Sequence, residues 1–134
     1  MLKSRKRLPF VIDNLYGGFA KVDGLMVLEG DNLWVEFQMK DNVLGGVVKA
    51  EPQEIPIPLE EIESVRYKKT WFVSKFFIRV YRIDILEGIP GNEKGEVKLK
   101  IPRRDAKAAI EMASRISYLV SELHFNDSEH SGGL

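Results

Sequence analysis

Residues 55–86, IPIPLEEIESVRYKKTWFVSKFFIRVYRIDIL, set the fold of this chain. At the start of this stretch Ile55, Ile57 and Leu59 alternate with prolines and a glutamate, which predicts an extended segment with one apolar face. The two prolines lack the amide hydrogen that a β-ladder requires. We therefore expect this segment at an edge or a bend of a sheet.

Two further strand-like segments follow within the same stretch. The three-residue step from Ile62 to Val65 interrupts strict alternation and predicts a β-bulge. Residues 76–86 are rich in β-branched and aromatic side chains and predict one long strand, whose inward face changes near Arg82. Such a change of face partway along a strand is typical of the bent strands of small barrels.

The pattern of the remaining chain up to residue 101 predicts a series of hairpins. Residues 29–32, with the sequence Glu-Gly-Asp-Asn, are turn formers and predict a tight hairpin. Alternating apolar and polar residues predict further strands over residues 19–28, 33–39 and 96–101, and a short strand that begins at Val47.

From residue 103 to residue 123 the hydrophobic period changes from that of a strand to that of a helix. This pattern predicts a single amphipathic helix, which needs an apolar surface to cover. The sequence thus indicates a mainly β domain with one C-terminal α-helix. The predicted apolar stripe consists of Ala106, Ala109, Ile110, Ala113, Ile116, Val120 and Leu123, widened by Met112 and Leu119.

Length and composition narrow the class of protein. The chain has 134 residues, which suits one domain, and it has no cysteine, which excludes disulfides and thiolate chemistry. Its 20 basic and 20 acidic residues cancel, so no overall field draws it to nucleic acid. Since it shows neither a leader pattern nor a long apolar run, we expect a cytoplasmic protein.

We divide the chain into three parts. Residues 1–18 are expected to form a basic N-terminal arm and lead-in, residues 19–124 the β domain with its helix, and residues 125–134 a flexible polar tail.

Residues 19–124 resemble the split barrel of pleckstrin-homology-like domains, which has about seven antiparallel strands capped by a helix. The phrase EIPIPLEEIESV at residues 54–65 is similar to the mid-domain segment of GRAM-like and bacterial members, and residues 103–123 look like the helix that plugs the barrel. The resemblance implies a platform for phosphoinositides, peptides or partner proteins, and bacterial members often assemble with themselves. In lipid-binding members a basic loop holds inositol phosphates, whereas the acidic residues 29–32 occupy that place here.

The best candidate surface combines basic and aromatic residues. Such a surface suits anionic lipid or single-stranded nucleic acid, although charged strand positions are also common on ordinary solvated faces. The neighbouring aromatic residues form either a loop tip that inserts into a membrane or a partner, or part of the core. The candidate residues are Arg66, Lys68, Lys69, Trp71 and Phe72, together with Arg103 and Arg104 at the start of the helix.

Catalysis finds little support in the sequence. His124 and His130 are the only histidines, and they are predicted to lie at the frayed end of the helix and in the tail. That placement suits neither a metal cluster nor a Ser-His dyad, and glycine-rich phosphate loops are absent. We therefore expect a protein that is not an enzyme and that needs no cofactor or metal.

Three functions are compatible with this sequence. The first is a binding or assembly module that acts through protein contacts, including association with itself into a homo-oligomer. The alternative is peripheral binding to anionic membrane lipids through the basic and aromatic residues. A pocket inside the barrel for a small molecule, with or without catalysis, is a further alternative.

Overall fold

A computed structural model describes the backbone of residues 6–43 and 46–132 and the side chains of residues 6–41 and 47–126. Within these residues the chain forms eight β-strands, four short 3₁₀ turns and one α-helix. The strands are β1 (Lys6–Leu15), β2 (Ala20–Glu29), β3 (Asn32–Val43), β4 (Gly46–Lys49), β5 (Gln53–Pro58), β6 (Ile62–Lys69), β7 (Ser74–Val80) and β8 (Glu96–Ile101), and the helix is α1 (Ala106–Gly132). The 3₁₀ turns are Tyr16–Gly18, Leu59–Glu61, Ile83–Leu86 and Arg103–Asp105.

The strands form one antiparallel sheet in the order β4-β3-β2-β1-β8-β7-β6, with β5 also paired to β3. The sheet is not closed: in the described chain no ladder joins β6 to β5 or β4. Helix α1 packs against β6, β1 and the turn Leu59–Glu61. The predicted fold class is confirmed as a mainly antiparallel β domain with a single C-terminal helix, consistent with a split barrel that the helix caps.

Several local predictions for residues 55–86 are confirmed. Strand β5 pairs with β3 alone among the described strands, as expected for a segment with two prolines. The register of β6 against β7 shifts between Ile62 and Ser64, which is the predicted bulge. The turn before this shift buries Leu59, whose amide donates to the carbonyl of Asp31 at 2.9 Å. This contact joins the β5–β6 corner to the β2–β3 turn.

The boundary predicted at residue 18 is wrong, because strand β1 lies inside the sheet. It pairs with β2 along most of its length and with β8 at Val11 and Lys100. Leu8, Phe10 and Ile12 are buried. Their period-two alternation is the available signal, and Pro9 obscures it because proline is usually a strand breaker.

The long strand predicted over residues 76–86 ends at Val80. A bend and the turn Ile83–Leu86 follow, so the change of face near Arg82 is the end of the strand. Leu86 and Ile89 are buried in the core. Burying these two side chains removes apolar surface from water, which favours the turn over a continued strand.

The helix also differs from its prediction. It continues to Gly132, so it runs beyond residue 123 into the predicted tail. Its buried residues are Ala109, Met112, Ile116 and Val120, whereas Ile110 is 51% exposed. Each residue turns the side chain by about 100° around the helix axis, so the residue after Ala109 points away from the sheet.

Candidate functional site

The candidate site is the tip of the hairpin between β6 and β7, formed by residues 70–73. Thr70 closes this turn: its amide donates to the carbonyl of Val73 at 3.1 Å, and its hydroxyl oxygen accepts from the Val73 amide at 3.2 Å. Below the turn, the hydroxyl of Tyr67 donates to Ser74 Oγ at 2.7 Å. The turn and the adjoining ends of β6 and β7 are therefore held together by hydrogen bonds within the hairpin itself.

Two large aromatic side chains project from this tip into solvent. Trp71 is 85% exposed and Phe72 is 83% exposed, whereas Phe76 is fully buried four residues after Phe72. The sequence left two interpretations open for the aromatic cluster, a loop tip or part of the core. Trp71 and Phe72 fit the first, and Phe76 fits the second. Contiguous exposed aromatics are uncommon on soluble domains and usually mark a contact surface.

Arg103 joins the tip through the pairing of β7 with β8. Ser74 at the start of β7 lies opposite Ile101 at the end of β8, so the residues after β8 emerge beside the hairpin turn. Lys69, Thr70, Trp71, Phe72 and Arg103 together line a surface hollow of about 500 Å³. Residues separated by more than 30 positions in the sequence thus form one basic and aromatic site.

Lysines flank the tip on the outward face of the sheet. Lys68 in β6 lies directly opposite Lys75 in β7. Among the described residues neither lysine forms an ion pair, and the same holds for Lys69 and Arg103. Positive charge around Trp71 and Phe72 is therefore available to an external anion.

Two of the predicted site residues are engaged elsewhere. Arg66 Nη2 lies 3.3 Å from Glu96 Oε2, and its guanidinium carbon lies 4.5 Å from the centre of the Phe77 ring. Arg104 is exposed, does not line the hollow, and has its Nε 3.7 Å from Asp105 Oδ2. The seven candidates therefore do not form one unit: Lys69, Trp71, Phe72 and Arg103 line the hollow, and Lys68 lies beside it in β6. These five residues are kept as the candidate site.

Arg82, which follows strand β7, is paired locally. Arg82 Nη2 donates to Asp84 Oδ2 at 2.8 Å. This hydrogen bond and the carboxylate charge of Asp84 raise the pKa of Arg82 above its ordinary value. Arg82 is thus paired with Asp84, and it is not counted among the cations of the hairpin tip.

Sequence reasoning did not select Lys75, Lys98 and Lys100 as site residues. Lys75 lies opposite both Lys68 and Lys100, so three lysines stand side by side across β6, β7 and β8. The alternation of Lys98 and Lys100 with apolar residues indicates an outward face. Only the register of β8 against β7, which no local pattern encodes, brings that face next to the tip.

His124 lies within the helix, so its predicted place at a frayed helix end is wrong. Its Nε2 atom is 3.2 Å from the hydroxyl of Tyr81, and the two rings are tilted with centroids 5.8 Å apart. Among the described side chains no group of three metal-ligating residues lies close enough together to hold an ion.

Comparison of the chain with protein-family models, with curated proteins and with solved structures gave no match. The described part of the chain contains no helix of the length and apolar character that crossing a bilayer requires.

Proposed function

We propose that this protein is a non-enzymatic binding module that docks peripherally on anionic membranes through the tip of its β6–β7 hairpin. The observation that carries the proposal is the pair of exposed aromatics, Trp71 and Phe72, beside three cations that form no ion pair with any described residue. These cations are Lys68, Lys69 and Arg103. Exposed aromatics gain free energy by entering the interfacial region of a bilayer, where their rings leave water.

The charges around the tip favour an anionic bilayer over a neutral one. A lysine or arginine near a surface rich in anionic lipid contributes about 1 kcal/mol. A single weak anchor gives only marginal attachment, so aromatic insertion and electrostatic attraction are both needed. The hairpin tip combines the two within a few residues.

The proposal also agrees with the resemblance to pleckstrin-homology-like domains, with a different part of the domain as the contact. Residues 29–32 remain acidic and do not suit inositol phosphates. The membrane contact is therefore proposed at the β6–β7 turn, which offers cations and aromatics together.

Vesicle sedimentation tests this proposal. The full chain is mixed with vesicles of phosphatidylcholine alone or of phosphatidylcholine with phosphatidylserine, at about 0.01 M and about 0.15 M salt. We expect binding to the anionic vesicles that weakens with salt, and a loss of about thirtyfold in affinity for the double variant Lys68→Glu/Lys69→Glu at low salt.

Lys21→Glu is a suitable control for charge, because Lys21 is an exposed strand lysine outside the site. It should change the affinity by less than about threefold. Absence of wild-type binding to anionic vesicles at low salt would refute the proposal.

A second candidate function is self-association through a sheet edge. Strand β4 is a short edge strand, and its Val47 and Val48 are 59% and 56% exposed. An open edge with apolar side chains can pair with an edge of another copy. Light scattering over a range of concentrations tests this: a defined oligomer that Val47→Lys/Val48→Lys dissociates supports it, and a monomer at all concentrations removes it.

A further inference from the structure

The outward face of β6, β7 and β8 continues the positive surface of the tip. Lys68, Lys75 and Lys100 form the row nearest the tip, and Arg66, Phe77 and Lys98 form the next outward row. Successive outward rows are about 7 Å apart, because they are two residues apart along each strand. The distance that the two rows cover along the strands is only slightly greater than the Debye length, which is about 8 Å at physiological salt.

Most of the positive charge in these two rows has no ion-pair partner among the described residues. Lys100 pairs with Asp13, and Arg66 shares Glu96 with Arg79. Lys68, Lys75 and Lys98 form no ion pair among the described residues. The two rows thus offer three free cations beside the tip.

Negative charge limits this face on the side away from the tip. Glu96 lies in the third row, opposite Arg79, and Glu93 lies beside it in the loop before β8. Both glutamates line a cleft of about 380 Å³ where β1 leaves β8. The attraction to an anionic surface would therefore be concentrated in the first two rows, because in the third row Glu96 already pairs with Arg79.

The helix side of the tip has a mixed charge pattern. Arg103, Arg104 and Lys107 lie there, but Asp105 already faces Arg104 at 3.7 Å. Glu111 follows Lys107 by four residues and is also exposed, so it lies on the same helix surface. Tilting toward the helix would bring this carboxylate to the membrane, whereas tilting toward the sheet brings Lys75 and Lys98.

We infer that the domain lies tilted on an anionic bilayer, with the outward face of β6–β7–β8 against the headgroups and Lys75 and Lys98 in contact with them. This inference rests on the proposed membrane function and specifies its geometry. Trp71 and Phe72 anchor one end of the contact, and the row of Arg66 and Lys98 forms the other end.

Spin labels at single cysteines test the tilt directly, because the natural chain has no cysteine. Lys98→Cys, Lys107→Cys and Lys21→Cys each remove one exposed lysine, so the three variants are matched in charge. Each is labelled with a nitroxide and bound to vesicles that contain phosphatidylserine, and its accessibility to a water-soluble relaxation agent is measured. We expect a severalfold loss of accessibility at residue 98 and little change at residues 107 and 21.

Charge reversal gives an independent measurement in the unlabelled chain. Lys75→Glu/Lys98→Glu should weaken binding to anionic vesicles about tenfold or more, and the matched pair Lys21→Glu/Lys107→Glu by less than about threefold. Circular dichroism and thermal unfolding establish that each variant is folded.

Each result has a distinct meaning. Protection at residue 107 equal to or greater than that at residue 98 would overturn the tilt while leaving membrane binding intact. Absence of wild-type vesicle binding would refute the proposed function itself, and tight binding of a single-stranded oligonucleotide in its place would assign the basic face to nucleic acid.

Discussion

The β2–β3 and β6–β7 hairpins are built from the same antiparallel sheet, yet their turns have opposite chemistry. The β2–β3 turn has two residues, Gly30 and Asp31, between paired strand ends, and Gly30 has a φ of +63°. The β6–β7 turn has four residues and is closed by the side chain of Thr70. The first is compact and acidic, and the second is longer, basic and aromatic.

The two turns also differ in their contacts with the rest of the domain. The carbonyl of Asp31 accepts the amide of Leu59 at 2.9 Å, and Gly30 lies beside Arg115 and Leu119 of α1 around a common hollow. The β6–β7 turn is stabilised by bonds within its own hairpin and leaves Trp71 and Phe72 outside. One hairpin end therefore helps to assemble the fold, while the other is free to contact a partner.

Among substitutions within the two turns, removing the aromatics from the β6–β7 turn should give the largest effect on membrane binding. Trp71→Ser/Phe72→Ser removes the apolar surface that enters the bilayer, about 2 kcal/mol or more of binding free energy, or roughly thirtyfold in affinity. Sedimentation with anionic vesicles measures this loss. Because both side chains are exposed, the free energy of unfolding should change by less than about 0.5 kcal/mol.

Wild-type affinity in this double variant would show that the aromatics take no part in docking. A large loss of stability would show instead that they support the fold. Phe76→Ser is the contrasting variant, since Phe76 is buried, and it should destabilise the domain by about 3 kcal/mol or more.

A substitution in the β2–β3 turn should affect stability and leave binding unchanged. Gly30→Val forces a β-branched residue into a left-handed conformation, which costs about 1 to 2 kcal/mol. Nothing lies within 4 Å of the added Cβ atom, so the cost is backbone strain and not a clash. Urea unfolding measures it, and vesicle affinity should stay within about twofold of wild type.

Trp71→Val is the matched control in the other turn, because Trp71 has no positive φ. Its free energy of unfolding should change by less than about 0.5 kcal/mol. Equal destabilisation by the two valines would mean that the two turns do not differ in the way their conformations suggest.

The smallest effect is expected from giving the acidic turn a positive charge. Asp31→Lys should change affinity for anionic vesicles by less than about threefold, since this turn has no exposed aromatic pair and lies outside the proposed contact. Titration with vesicles at low salt measures the change. An increase well above this range would place the β2–β3 turn at the membrane beside the β6–β7 turn.

Sequence patterns predicted much of the local structure, because each pattern reports on neighbours in the chain. The alternation of Leu33, Val35 and Phe37 is confirmed by their burial, and the turn at residues 29–32 is confirmed by the pairing of Glu29 with Asn32. Strand β1 was missed because Pro9 lies in its short apolar run. Its place between β2 and β8 depends on contacts with residues far along the chain.

The candidate site was predictable in composition but not in assembly. Trp71, Phe72 and the nearby lysines are adjacent in sequence, so any extended or turn conformation keeps them together. Arg103 reaches them only because β7 and β8 pair with Ser74 opposite Ile101. Arg66 forms an ion pair with Glu96, because the same pairing of β7 with β8 places Glu96 beside it.

Most of the strands, most of the turns and the single helix after them were predictable from the sequence alone, since hydrophobic periodicity and turn chemistry are local properties. The exposure of Trp71 and Phe72, the burial of Phe76 and the choice of cations beside the exposed pair became known from the tertiary structure. Burial and charge pairing depend on strand register and on how the helix covers the sheet. Both are set by side chains that meet across the whole fold.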